Sequence, residues 1–403
     1  MASIGGPLAL AAFYFPGAAG AALPSAGLVA ALGAILYGLP LVVWLRYSEE
    51  IASTGGLAAF VEAAVGRRIA LAQAAIWSFS YFLYLPYTIT DVVYDDLAKI
   101  FPGIHPWRWV LELALPLAIV ALVLAGLTPV LWTLLLSAAL QLALLLALGA
   151  VELGHVGAPS PVHTPHVHDV TRGAAGTALL FVCGSLPLFL AGEAAGGRAT
   201  VRRSLVGAGV VVGAYLVFAA WPLAAVADEL RDRDLPGYAI AQSYAGRGFG
   251  VAVGLVGAIS VAGLIVAEYL ALSRLVFAVL RVPVRRALAW IAVPFVLADV
   301  VSLANPEQFY EKLLKPSLVA LFVSHAIVFL TFPRFRARIG KLTPIVGLDL
   351  CPDGGEPFVG YVDRVGRDQN PLLSGCSAPA RRRLIPGANV RRRCAQGEAQ
   401  SRA

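Results

Sequence analysis

Glu268 is the clearest acid inside an apolar stretch of this sequence. It precedes Arg274 by six residues, roughly 9 Å along a helix. In a lipid core an acid costs about 2.5–3.5 kcal/mol on insertion scales, so it takes a partner, a cavity or a proton. Burial disfavours the charged form and makes a protonated one accessible near neutral pH, which suits a proton carrier. The alternative is a carboxylate that snorkels to the nearby interface or pairs with an arginine. The same stretch carries Gly257, Ser260, Gly263, Ala267 and Ala271 at three- and four-residue spacing. Such a stripe packs against other helices.

Two runs offer backbone chemistry instead: Phe15-Pro16-Gly17-Ala18-Ala19-Gly20 and Cys183-Gly184-Ser185-Leu186-Pro187. Proline removes a helical donor and glycine leaves helical angles freely. Unwound backbone inside a bilayer survives only where protein covers it or where it lines a cavity. Its freed N–H and C=O groups then meet polar ligands, the N–H groups at a half-helix N-terminus attracting anions.

The remaining polar and aromatic groups are less specific. Trp77, Tyr81 and Tyr84 lie one helical turn apart and either gate a site or pack as ordinary aromatics. His163, His166 and His168 share a Pro-rich loop with Asp169 but have no neighbouring cysteine, so no metal site is expected. Gln141 is expected to pair with another helix, and Asp299 and His325 to reach the interface near their helix ends. No G-x-S-x-G, Walker A or H-E-x-x-H pattern occurs, so nothing supports an enzyme or a cofactor.

The elements that position these groups follow from composition. Of 403 residues, 59% are hydrophobic and 14% charged, against about 25% charged in soluble domains. With a mean hydropathy of +0.77, the polar remainder is too small to cover a soluble fold. An all-α polytopic membrane protein is the expected fold class. Apolar runs place ten spans centred near Pro16, Leu36, Phe82, Val120, Leu140, Gly184, Tyr215, Val261, Phe295 and Phe322. The run from Val110 to Ala150 is too long for one crossing, and Thr128-Pro129 is expected to supply its turn. Residues 1–26 lack a basic leader region and read as the first span, not a signal. The four cysteines form no C-x-x-C pair and imply no disulfide framework.

Net charge is +7, yet the basic residues sit in short loops, which argues for membrane orientation and against nucleic acid. With the N-terminus inside, the inner loops hold 14 basic residues and the outer loops 8. Both termini are therefore expected in the cytoplasm of a cell whose membrane holds this multi-pass chain. Residues 1–341 form the expected transmembrane domain. Residues 342–403, with nine Arg and six acids, read as an irregular basic tail that rests on anionic headgroups.

The breaks fall in spans one and six, corresponding positions of two five-helix halves, about 4–150 and 174–333. That pairing points to an inverted-repeat transporter with helices one and six unwound at mid-membrane around its site. Further residues resemble one family of such proteins. Ser48-Glu49-Glu50-Ile51-Ala52 with Gly55-Gly56, Phe60 and Gly66 is similar to the helix-two to helix-three segment of amino acid–polyamine–organocation permeases. Phe181-x-x-Gly184, Glu193 and Arg202-Arg203-Ser204-Leu205 are similar to that family's sixth helix and following loop, and Ser273-Arg274 through Arg281 to the end of its eighth. The family's first-helix glycine motif falls on Gly17-Ala18-Ala19-Gly20 with its second glycine displaced by one.

The resemblance implies that Gly17, Ala18, Ala19 and Gly20 bind a substrate carboxylate. It places Phe181, Val182, Cys183, Gly184 and Ser185 at the amine or side chain. Ser260 falls near a hydroxyl ligand of sodium-dependent members, so Na+ stands beside H+ as coupling ion, with Glu268 as proton carrier. The expected function is a secondary transporter of an amino acid or related amine, coupled to protons. A polyamine or organic-cation permease or exchanger is the alternative. Outside transport, a membrane sensor signalling through its tail would require a folded tail domain, and a membrane enzyme a cluster of acids or histidines in one cavity. Oligomeric state is not legible.

Overall fold

The computed structural model describes residues 15–163 and 166–346, which form helices and no strand among the described residues. Ten helices carry the architecture: α1 Ala26–Ser48, α2 Gly56–Val65, α3 Arg67–Thr90, α4 Arg108–Leu124 and α5 Leu127–Val156 in the first part. After the loop come α6 Val167–Leu179, α7 Gly197–Ala220, α8 Pro236–Leu280, α9 Val284–Ser302 and α10 Pro306–Val346. Eight stretches are long and apolar enough to cross a bilayer. Large apolar side chains cover their outer faces, with Leu330 77% exposed and Ile35 and Leu39 both 67%. An outer surface of that kind belongs in lipid. The chain is a multi-pass membrane protein.

The expected first span lies mostly in residues 1–14, outside the described residues. Its described end, residues 15–25, joins α1 in one stretch, Phe15–Ser48. Helix α9, at 19 residues, is long enough for a crossing but carries Arg285, Arg286 and Asp299, so it is not among the eight. The expected tail lies outside the described residues except for 342–346, which continue α10 as helix instead of starting irregular chain.

Breakers act where the residues demand, with one exception. Gly20 adopts φ +53 and opens a 3-10 segment, Gly20–Ser25, that carries Pro24. Helix α6 stops at Leu179, and a 3-10 segment, Val182–Leu190, follows with Pro187 inside it. Between α4 and α5, however, the chain turns at Ala125-Gly126 and not at Thr128-Pro129. Gly126 takes φ +120, while Pro129 sits in the first turn of α5, where its missing N–H had no helical partner to lose. Helix α8 is kinked at Gly246, φ +85, which leaves residues 247–280 as its long apolar arm.

Small residues set the packing of this bundle. A side chain at Gly263 of α8 would meet the Ser137 hydroxyl of α5, so the glycine-rich stripe does pack on another helix. Helix α10 is held along α3 by hydroxyls: Ser80 Oγ donates to the Ser317 carbonyl (2.8 Å), Ser317 Oγ donates back to Ser80 O (3.0 Å), and Gln73 Nε2 donates to Ser324 Oγ (2.9 Å). Tyr47 of α1 donates to Val328 O of α10 and stacks on Phe60 of α2.

Candidate functional site

The 3-10 stretch that follows α6 meets α1, α3 and α8 in a buried cluster. Phe181 stacks on Tyr37 of α1 with ring centroids 4.8 Å apart. Gly184 lies against the hydroxyl edge of Tyr37, so that a Cβ there would clash with the hydroxyl. That approach is why this position takes no side chain. Cys183 donates its thiol to Glu268 Oε1 of α8 at 3.3 Å, and both residues are buried. Ser185 is buried as well, with its hydroxyl unpartnered.

Helix α3 closes this cluster. Trp77 and Tyr81 are fully buried with ring centroids 4.1 Å apart, and Trp77 also meets Phe189, at 4.5 Å, in the unwound segment. Tyr81 and half-buried Tyr84 lie within electrostatic range of both Cys183 and Glu268. The Tyr81 hydroxyl approaches the thiol without hydrogen-bonding geometry. Three sets of expected residues therefore converge: the sixth-span break, the aromatic trio and Glu268. Glu268 does not snorkel and has no arginine; its Oε2 lacks any partner. Two residues that sequence reasoning missed complete the cluster, Tyr37 and Phe189. Neither carries a signal in the sequence, since an aromatic in an apolar helix looks the same whether it faces lipid or a break.

The other expected residues stand elsewhere. Ala18 and Ala19 press their carbonyl oxygens against α6, where a Cβ at Gly176 or Gly173 would lie 2.5 and 2.8 Å from them. Gly17 and Gly20 are exposed. The stretch before α1 and helix α6 thus touch through the glycines of α6, with the Ala18 and Ala19 carbonyls against protein. Val182 opens the 3-10 segment. Ser260 is buried with a free hydroxyl, but it precedes Glu268 by eight residues, about 12 Å along α8, so the two do not share one site.

Two expectations are overturned by burial. Asp299 is fully buried because it lies on the face of α9 that packs against α3 and α4. His325 sits mid-helix in α10 with its ring 5.7 Å from Trp44 and Nδ1 at 2.8 Å from Leu321 O. Neither reaches an interface, since α9 and α10 each turn that face to the bundle. Gln141 bonds Ser137 on its own helix (3.1 Å), and it is Ser137 that reaches across to Ile259 O of α8. Among the described residues no three His, Cys, Asp or Glu converge as a metal cradle.

At one end of the bundle, the residues that carry the family resemblance form ion pairs. Glu193, just past the unwound segment, pairs with Arg274 of α8: Nη2 donates to Oε2 at 3.1 Å, and Nε lies 2.6 Å from Oε1 in a bent contact. Glu49 at the end of α1 accepts from Arg202 of α7 (3.0 Å) and from Arg46 (3.2 Å), while Arg198 donates to its carbonyl (2.8 Å). A separate cavity of about 710 Å³ lies between α5, α7, α8 and the unwound segment, walled by residues such as Leu134, Ala138, Leu186 and Leu270. Only Arg203 and Ser204 give it polar character.

The arrangement sets a 3-10 segment beside a buried carboxyl that pairs with no Arg, Lys or His among the described residues, with Trp77 and Tyr81 packed nearby. No family model matches this chain, and no match emerges among curated proteins.

Proposed function

We propose that this chain is a secondary transporter of the amino acid–polyamine–organocation type, moving an amino acid or related amine by alternating access with a proton as coupling ion. The observation that carries the reading is the Cys183–Glu268 contact, which sets the one acid of the cluster against the unwound segment of the sixth span. An acid that loses and gains a proton there changes the polarity of the segment that would hold the substrate. The adjacency of both broken spans supports the same reading, and the ion pairs at the far end of α8 suit a closed gate. In this reading the ten spans comprise the eight long stretches, α9, and a first span divided from α1. They form two inverted five-helix repeats, with both termini in the cytoplasm of the cell membrane.

Glu268 also favours a second reading, a permease or exchanger for polyamines or other organic cations. A carboxyl without a cationic partner is what a substrate ammonium would seek. Purified protein in liposomes, offered neutral amino acids, cationic amino acids and diamines with and without an inward proton gradient, separates the two. Uptake of a neutral amino acid driven by the gradient supports the first reading, and uptake of diamines alone supports the second. If no compound in the panel is taken up or exchanged, both fail.

A further inference from the structure

A second buried acidic group lies away from the cluster around Glu268, where the end of α3, the start of α4 and the end of α9 meet. Glu112 and Asp299 are both fully buried. Glu112 Oε1 accepts from Thr90 Oγ1 at 2.5 Å and from Ser302 Oγ at 2.6 Å. The same two hydroxyls also face backbone carbonyls, Pro86 O at 3.0 Å and Asp299 O at 2.7 Å. Each hydroxyl has one hydrogen, so four close oxygen contacts share two hydrogens. A third hydrogen, on Glu112, would complete another of them.

Asp299 gives an independent indication. Both its carboxyl oxygens, and Glu112 Oε2, have no hydrogen-bond partner. Ser302 links the two residues, its Oγ lying 2.6 Å from Glu112 Oε1 and 2.7 Å from Asp299 O, and neither acid takes part in an ion pair among the described residues. Two ionised carboxylates without donor or cation in a dry site would each cost several kcal/mol. The surrounding groups do not relieve this. Arg108, one turn before Glu112, stands over the Tyr94 ring at 5.4 Å and bonds His105 Nε2 through Nη2 at 3.1 Å. Asp91, which follows Thr90, adds another acid and has partners of its own. On α8, Tyr269 donates its hydroxyl to Leu288 O, and Lys312 and Lys315 of α10 are exposed.

We propose that Glu112 and Asp299 form a proton-binding carboxyl pair, a second exchangeable-proton site of this protein held between α3, α4 and α9. Hydroxyl oxygens at 2.5 and 2.6 Å occupy the Oε1 side of Glu112, which leaves its unpartnered Oε2 and the Asp299 carboxyl as the places for a proton. Glu112 stands about 6 Å, one helical turn, past the start of α4, close to the segment Pro102–Trp107.

Infrared spectroscopy on the purified full-length protein at neutral pH tests this without substrate, so its result is separate from the fate of the transport reading. Glu152 of α5 is buried with an unpartnered Oε2 as well, so the background is Glu152→Gln with Glu268→Gln; there a protonated-carboxyl C=O band should persist and be lost or shifted in Asp299→Asn and in Glu112→Gln. Aspartate labelled with ¹³C in the otherwise unaltered protein should shift part of that band, which removes dependence on how the variants fold. The proposal is overturned if no such band exists, if the band is indifferent to both substitutions and to the label, or if Na+ at constant pH abolishes it, which would mark a metal-cation site.

Discussion

Gly184 and Tyr37 occupy the same space in the sense that one exists only because the other leaves room. A methyl at Gly184 would land on the Tyr37 hydroxyl, with the ring carbons Cζ and Cε2 at 2.7 and 3.0 Å. We expect Gly184→Ala to destabilise the protein by about 1–3 kcal/mol through overpacking. Tyr37→Phe in the same chain should restore part of that, because it removes the hydroxyl but not the ring. Thermal unfolding in detergent measures both, and an additive double variant would show that the two side chains are not in contact as described. Glu268 calls for a different test, since its amide analogue keeps an acceptor for the Cys183 thiol. We expect Glu268→Gln to lose accumulation driven by an acid-side gradient while retaining exchange of labelled for unlabelled substrate. A variant that still concentrates substrate under an imposed pH gradient would remove Glu268 from proton coupling and leave it a structural acid.

Elements are held to one another at the end opposite the carboxyl pair by the Glu193–Arg274 and Glu49–Arg202 contacts. The partners differ in how well water can replace them. The Arg274 side chain is 9% exposed and that of Glu193 29%. Removing Glu193 strands a guanidinium in a dry place, whereas removing Arg274 leaves a carboxylate that rehydrates. We therefore expect Glu193→Gln to lower the unfolding temperature more than Arg274→Gln, with a coupling of about 1–2 kcal/mol in the double-variant cycle. Equal losses with no coupling would mean the pair contributes nothing to closure. At this scale the departure from α-helix after α6 was legible, because Gly184 and Pro187 are local instructions, whereas Gly17 is helical and the 3-10 segment near the first expected break starts only at Gly20. The turn before α5 was misplaced because Gly126 outranked Pro129. The burial of Asp299 and His325 was not legible at all: a polar residue in an apolar helix looks the same whether it faces outward or toward the neighbouring helix, and the extension of α10 to Val346 puts His325 mid-helix instead of near an end.

The whole molecule shows the same division between what a chain states locally and what only its packing decides. Ten apolar runs are visible in the sequence, but which residues of α1, α3, the unwound segment and α8 meet depends on rotations about helix axes that hydropathy does not encode. The orientation of the molecule in its membrane is the reverse case. It rests on the distribution of basic residues between loops, with Arg198, Arg202, Arg274 and Arg334 on one expected side and Lys99, Arg108, Arg231 and Lys312 on the other. The positive-inside rule converts that bias into a direction. Ser160, between α5 and α6, and Ala337, near the end of α10, are both exposed and belong to opposite expected sides. In a chain with its four cysteines replaced, we expect a cysteine at Ser160 to react with a membrane-impermeant maleimide on intact cells. A cysteine at Ala337 should react only after the membrane is permeabilised. The reverse pattern would invert the protein, placing the Glu193–Arg274 pair on the outer face and the Glu112–Asp299 pair on the inner. Labelling of both sites in intact cells would instead mean that an even number of crossings separates them, where the ten-span reading puts five, and that reading would fail with the orientation.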